Sequence, residues 1–242
     1  MIVAIHQPNY LPWWGYWHKL ASADVFILLD DVQYEKGGYT NRVRIGGDGE
    51  PCWMTIPVSV HLGDTIQQVH PAHVEWPKQH LQMLAYRYRH APFCNEVLEA
   101  LQKWFRFIPE QAPIAVVNSY LIRRMVQQMR LHISLRVASS YHLQGLSGTA
   151  RLIALVQAVD PQGTYLSGRG GAAYQDEAAF RRAGLDVQYT PNIEPVYDHD
   201  TAIFTPGLSL IDRVMYEGWE QTAIRLQPPH TAEAERDRRE DR

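Results

Sequence analysis

The chain has only two cysteines, no long apolar run and none of the common catalytic signatures, and each shortage removes a class of protein. Cys52 and Cys94 stand alone, without the spacing of a disulfide framework, so the core must hold the fold and a reducing, cytoplasmic compartment is expected. No stretch approaches the roughly 20 apolar residues of a membrane-spanning helix. The N-terminus has no basic region leading into a signal-type apolar segment, so neither a cleaved leader nor a membrane partner is expected. There is no serine nucleophile elbow, no local Cys–His arrangement, no P-loop, no dinucleotide fingerprint and no internal repeat. His61, His70 and His73 lack the i, i+4 spacing of a helical metal pair and no cysteine joins them, so no metal is expected.

What remains is enough chain, 242 residues, to bury a substantial core. Residues 1–226 are expected to form one α/β domain with an inserted helical segment at about 78–130. Residues 227–242, polar and of mixed charge, are expected to be disordered. The formal net charge of -3 conceals a basic middle, with nine Lys or Arg against three Glu between residues 78 and 136. Such a stretch either attracts a phosphate-bearing partner or is the solvated face of helices.

The first 45 residues carry the strongest signal. Ile2–Ile5 and Val25–Leu29 are strand-length apolar runs of the kind buried on both faces of a parallel sheet. Each ends in polar residues, His6, Gln7 and Asn9 after the first, Asp30, Asp31 and Gln33 after the second. Ligands of open α/β sheets bind beyond the carboxyl ends of the strands, so both clusters are expected at one crevice. Further strands are expected at 53–60, 133–137, 164–166 and 187–189. Helices are expected from about Trp13, at 78–90, 94–107 and 114–130, from a Ser147 cap to Ala158, at Tyr174–Ala183 and at Ser209–Glu217. Strands alternating with helices imply an α/β fold with a mainly parallel, Rossmann-like, doubly wound sheet.

Several groups at these strand ends can do chemistry. Pro8 and Pro12 stiffen the first turn, and the helix after it aims its free N–H groups at the crevice. Gly15 allows close approach of a backbone or ligand, and the alternative is a rigid packed corner with His6 hydrogen-bonded inside it. Consecutive strand residues point to opposite faces, so at most one of Asp30 and Asp31 reaches the pocket as a base. Asn41, Arg42 and Arg44 offer forks suited to carboxylate or phosphate, with the two arginines on one side of a strand. Ser167, Gly168, Gly170 and Gly171, after a strand and before a helix, have the context of an anion-binding loop. The candidate base is thus His6, Asp30 or Asp31. Gln7, Asn9, Tyr10, Lys19, Gln33, Asn41, Arg42, the Ser167–Gly171 loop and Tyr174 are candidate substrate-binding residues.

The run His6-Gln7-Pro8-Asn9-Tyr10-Leu11-Pro12-Trp13-Trp14-Gly15-Tyr16, with Leu29-Asp30-Asp31-Val32-Gln33-Tyr34 and Asn41-Arg42, resembles the start of the WbqC-like family. So do Tyr165-Leu166-Ser167-Gly168-Arg169-Gly170-Gly171-Ala172-Ala173-Tyr174 and Leu208-Ser209-Leu210-Ile211-Asp212, and the similarity spans about residues 1–225. Local departures are Gly37-Gly38, where bulkier or polar residues are usual, and Gln175, where Leu is usual. The resemblance implies transfer of an acyl or aminoacyl group, glycine among the suggested ones, to an amino sugar or related acceptor in bacterial O-antigen or related biosynthesis. The donor classes to weigh are a nucleotide-sugar, an activated acyl thioester and a charged tRNA; no cofactor is specified. The opening also looks like that of nucleotidylyltransferases, but their His-x-Gly-His signature is replaced here by Trp14-Gly15-Tyr16. A nucleotide-dependent ligase and a non-catalytic binder of nucleotide-sugars are the rival readings.

Overall fold

The structure, a computed structural model, describes residues 1–143, 145–168, 170, 175–191, 194–198 and 205–227. In chain order it opens with strand β1 (Ile2–His6), helix α1 (Trp14–Ala21) and strand β2 (Val25–Leu28). Two hairpins come next, β3 (Arg42–Ile45) with β4 (Cys52–Thr55) and β5 (Val58–Ser59) with β6 (His70–Pro71). Helices α2 (Trp76–Arg87), α3 (Cys94–Arg106) and α4 (Ile114–Gln128) lead to β7 (Ser134–Val137). A 3-10 turn at Ala138–Tyr141, α5 (Gly148–Val159), β8 (Thr164–Ser167), α6 (Glu177–Arg182), β9 (Asp186–Tyr189) and α7 (Leu210–Leu226) complete it.

The five strands β7-β2-β1-β8-β9 form one sheet, and every pairing is parallel. This is the doubly wound α/β architecture expected from the strand-helix alternation. Its central strands are apolar on both faces because both faces are covered. Ala4, Phe26, Leu28 and Leu166 pack into the larger core with α1, α4 and α7. Val3, Ile5, Val25, Ile27 and Tyr165 pack on the other side with Leu155 and Val156 of α5 and Phe180 of α6. The edge strands β7 and β9 alternate instead, since one side of each meets solvent.

The segment between β2 and β7 is more mixed than a helical insertion. It begins with the two hairpins before α2–α4. The expected strand at 53–60 is broken into β4 and β5 where Pro57, which has no N–H, interrupts pairing and Ile56 N turns to Asn41 O at 2.7 Å. Ser147 precedes α5 in position, but its hydroxyl caps nothing among the described residues; the true side-chain caps are Asp176 on α6 and Ser209 on α7. Helix α6 begins at Glu177, and Tyr174, its expected start, lies outside the described residues. The last helix runs past Glu217, through a kink at Gly218 with φ 76°, to Leu226. A Cβ at Gly218 would sit 2.9 Å from Phe93 Cε1, so glycine is required there by both conformation and space.

Candidate functional site

Numbered among themselves, the sheet strands run 3-2-1-4-5: the chain winds outward from β1 through β2 to β7, then returns beside β1 as β8 and winds outward to β9. The order reverses between β1 and β8, and a crevice outside their carboxyl ends is where such sheets place ligands. A cavity of about 410 Å³ opens at this point. Its floor is the end of β1, Ile5 and His6. One wall is α1 with its cap, Trp13, Gly15, Tyr16 and Lys19. The other wall is β8 and the residues after it, Tyr165, Ser167, Gly168, Gly170 and Gln175, with Thr190 and Pro191 beyond β9.

The electrostatics of the cavity come from two buried bases. Lys19, in the second turn of α1, is 4% exposed, and its Nζ donates to Ile5 O at 2.7 Å. No carboxylate pairs with it among the described residues. Burial therefore pulls its pKa down to about 7. His6 Nδ1 lies 3.1 Å from Gln7 O, which only accepts, so the proton sits on Nδ1 and leaves Nε2 as the acceptor. Burial, and then the neighbouring Lys19 charge, push the imidazole pKa down to about 3, so the ring is neutral at physiological pH. Tyr16 and Trp13 fix it edge-on, with centroids 4.8 and 6.0 Å away.

The remaining wall is made of hydrogen-bonding groups of fixed orientation. Tyr16 N and Trp17 N turn back to Trp13 O, whereas the Gly15 amide has no acceptor among the described residues. A side chain at Gly15 would come within 3.2 Å of Trp13 Nε1, so its absence keeps this helix end open. Ser167 Oγ donates to Gly168 O at 3.1 Å. It therefore accepts from Gln175 Nε2, 2.9 Å away, while the same Nε2 lies 3.2 Å from Tyr165 OH. That commits the amide nitrogen inward and leaves Gln175 Oε1 buried with no partner among the described residues. None of the described lining residues is acidic. The cavity thus offers a lysine and a helix end to a ligand carrying negative charge.

Of the residues singled out from sequence, His6, Lys19, Ser167, Gly168 and Gly170 line this cavity together. Gly171 and Tyr174 lie outside the described residues. The acidic end of β2 faces elsewhere, so the two polar clusters do not share one crevice. Asp30 accepts from Ser139 N at 2.9 Å, Ser139 Oγ at 2.7 Å and Gln67 Nε2 at 2.8 Å. It lines a separate depression with Tyr120 and Arg123. Asp31 takes Arg151 of α5 with both oxygens at 2.6 Å. Gln33 forms an isolated bridge to Thr65. Tyr10 is buried against Trp76 and bonds His80 Nδ1 at 2.8 Å; Asn9 is buried beside it in the chain. Gln7 accepts weakly from Thr40 Oγ1 at 3.4 Å. Asn41 ties Tyr34 OH to Ile56 O, and Arg42 donates to the Gly37 and Gly38 carbonyls. The three histidines also stay apart, His61 beside Asp64 and His70 on Gln111 O. Among the described residues no group of three or more His, Cys, Asp or Glu is placed to hold a metal ion. Most of the basic side chains of residues 78–136 are exposed, Lys78, Lys103, Arg106 and Arg123 of them on helices, while Arg87 braces the Gly46–Glu50 turn through carbonyl bonds.

Trp13, Tyr16, Tyr165, Gln175 and Thr190 were not among the candidates. Trp13 and Tyr16 carry only the signal of a helix start and Thr190 that of a position just beyond a strand, while Tyr165, inside β8, and Gln175, between β8 and α6, carry none.

The sheet order defines an α/β protein of Rossmann-like class with a cavity at the switch point. The chain belongs to the WbqC-like protein family, which it matches over residues 7–224. It is similar to a Mycobacterium tuberculosis (strain ATCC 25618 / H37Rv) protein named Uncharacterized protein Rv1507c. The two are 30% identical over 230 residues, covering 90% of this chain and 94% of the relative. No solved structure matches the chain. Among the described residues no helix is long and apolar enough to cross a membrane, and both cysteines are free.

Proposed function

We propose that this protein is a transferase that moves an acyl or aminoacyl group from a phosphate-bearing activated donor to an amine or hydroxyl of a small acceptor such as an amino sugar. The observation that carries this reading is the β1/β8 cavity, where an unpaired buried lysine and the open end of α1 converge with no carboxylate in the described lining. Phosphate or pyrophosphate is the group such a site takes best.

The residues divide the work. Lys19 and the Gly15 amide anchor the anion, and anion binding draws a proton onto Lys19, whose free pKa of about 7 leaves it half protonated at neutral pH. Neutral His6 presents Nε2 as a hydrogen-bond acceptor that orients the attacking amine or hydroxyl, and the proton released as the acceptor attacks the acyl carbon passes to the departing phosphate-bearing group. A bond forms between acceptor and acyl carbon, and the bond from that carbon to the donor's activating group breaks.

The strand order also favours a second reading, an ATP-dependent ligase of nucleotidylyltransferase type. Residues Trp14-Gly15-Tyr16 put no histidine at the helix start, which counts against it. Titration of the protein with inorganic pyrophosphate, ATP and coenzyme A thioesters tests the proposal. Binding that disappears in Lys19→Met supports it; no binding of any phosphate-bearing donor rejects it. Pyrophosphate release on incubation with ATP and a carboxylic acid would select the ligase.

A further inference from the structure

A row of aromatic rings leaves the cavity and reaches the surface on the β3–β4 hairpin. Trp13, a cavity wall, meets Tyr39 at 4.7 Å between centroids, and Tyr39 meets Trp53 at 5.6 Å. Tyr39 and Trp53 are 38% and 40% exposed, large apolar rings held in the open. Scattered exposed rings need no explanation, but rings in a contiguous line from a cavity do.

The hairpin register says what accompanies them. Arg44 is directly opposite Trp53 and Arg42 opposite Thr55, so these four side chains share the outward face, while Val43, Ile45 and Met54 fill the core side. Arg42 packs its guanidinium 4.2 Å over the Trp53 ring and donates to the Gly37 and Gly38 carbonyls, which locks the ring in place. The Arg44 guanidinium makes no hydrogen bond or ion pair to any described residue, and no acidic side chain shares this face of the paired strands. Here, then, are two part-exposed rings, Trp53 braced on one face by Arg42, beside a cation with no partner among the described residues.

We infer that this face is a subsite for a pyranose carrying an anionic substituent, its ring on Tyr39 and Trp53 and its carboxylate or phosphate on Arg44. The rings are tilted 46° and 53° to their neighbours at under 6 Å, which leaves no slot for a flat nucleobase to slide between them. A sugar needs only one exposed face for its axial C–H groups, with charge to the side. Calling this sugar the acceptor rests on the transferase reading above; its binding here does not.

The test is saturation-transfer NMR with glucosamine 6-phosphate, glucuronate, glucosamine and AMP as probes. It is run in a Lys19→Met background so that the cavity does not compete for anions. Ring protons of the two acidic sugars should be saturated, and Trp53→Ala should abolish the signal while Trp53→Phe retains it. Arg44→Ala should weaken the acidic sugars about tenfold, as loss of a charge-assisted hydrogen bond does, and leave glucosamine unchanged. The two acids separate phosphate from carboxylate preference. No sugar signal, signals unaffected by Trp53→Ala, or AMP base protons taking the Trp53-dependent signal would each overturn the inference. Pyrophosphate binding measured without the Lys19 change keeps the two claims apart. Its absence with sugar binding intact sinks the transferase reading alone, and its presence without sugar binding sinks only the subsite.

Discussion

Replacing Lys19 with methionine should make the protein more stable while removing its anion site, a combination no purely structural lysine produces. A solvated lysine ammonium titrates at 10.5, and burial brings this one to about 7 in the fold. Between those values the unfolded chain holds a proton that the folded chain has released. Stability from this residue therefore rises with pH by about 1.4 kcal/mol per unit across that window. At pH 7 keeping the lysine buried costs about 4 kcal/mol. Methionine removes that cost but leaves the Ile5 carbonyl without its 2.7 Å donor, a loss of about 1–3 kcal/mol. The net is a gain of about 1–3 kcal/mol, or roughly 2–10 °C in Tm for a chain of this size. Urea denaturation at pH 7 and pH 9.5 reads both the gain and its pH dependence. The variant's advantage should shrink by about 3 kcal/mol over that interval. A variant several kcal/mol less stable than the wild type at both pH values would refute the reasoning, because Lys19 would then be a fully compensated structural cation.

His6 and His80 are both held neutral by burial, at about 3 and about 4. The unfolded chain therefore binds protons first, and stability falls as pH drops below about 6.5, by about 5 kcal/mol together at pH 4.5. Urea midpoints of wild type and His80→Asn should show the variant's acid loss roughly halved; identical slopes would contradict it. Gly218→Ala meets both the φ of 76° and Phe93 at 2.9 Å, so a loss of about 2 kcal/mol or more is expected in thermal denaturation. Asp212→Ala strips the shared acceptor from Tyr88 OH, Tyr197 OH and Gly46 N and should cost about 3 kcal/mol. The same variant should leave pyrophosphate affinity unchanged, because none of these groups lines the cavity.

The sheet was legible because burial on both faces writes itself as continuous apolar runs; Ile2–Ile5 and Val25–Leu29 could not be solvated strands. The hairpins between β2 and β7 were harder, since Pro57 breaks an apolar stretch that reads as one strand. Ser147 shows the limit of cap signatures: the residue type is right, but its hydroxyl bonds nothing among the described residues. At the site, His6 and Ser167 followed from the rule of strand ends, and Lys19 from its place on the helix after β1. Asp30 and Asp31 sit at a strand end too, yet their partners Ser139 and Arg151 are more than 100 residues away and invisible to local pattern. The same holds for Gln175, whose free oxygen is defined by where Ser167 sends its own proton.

The most direct test of the central claim is calorimetric titration of the wild type with inorganic pyrophosphate at pH 7, in two buffers of different ionisation enthalpy. Binding accompanied by uptake of about half a proton, and absent in Lys19→Met, is the outcome this site requires. Absence of binding, or binding with no proton uptake that survives in Lys19→Met, would contradict it.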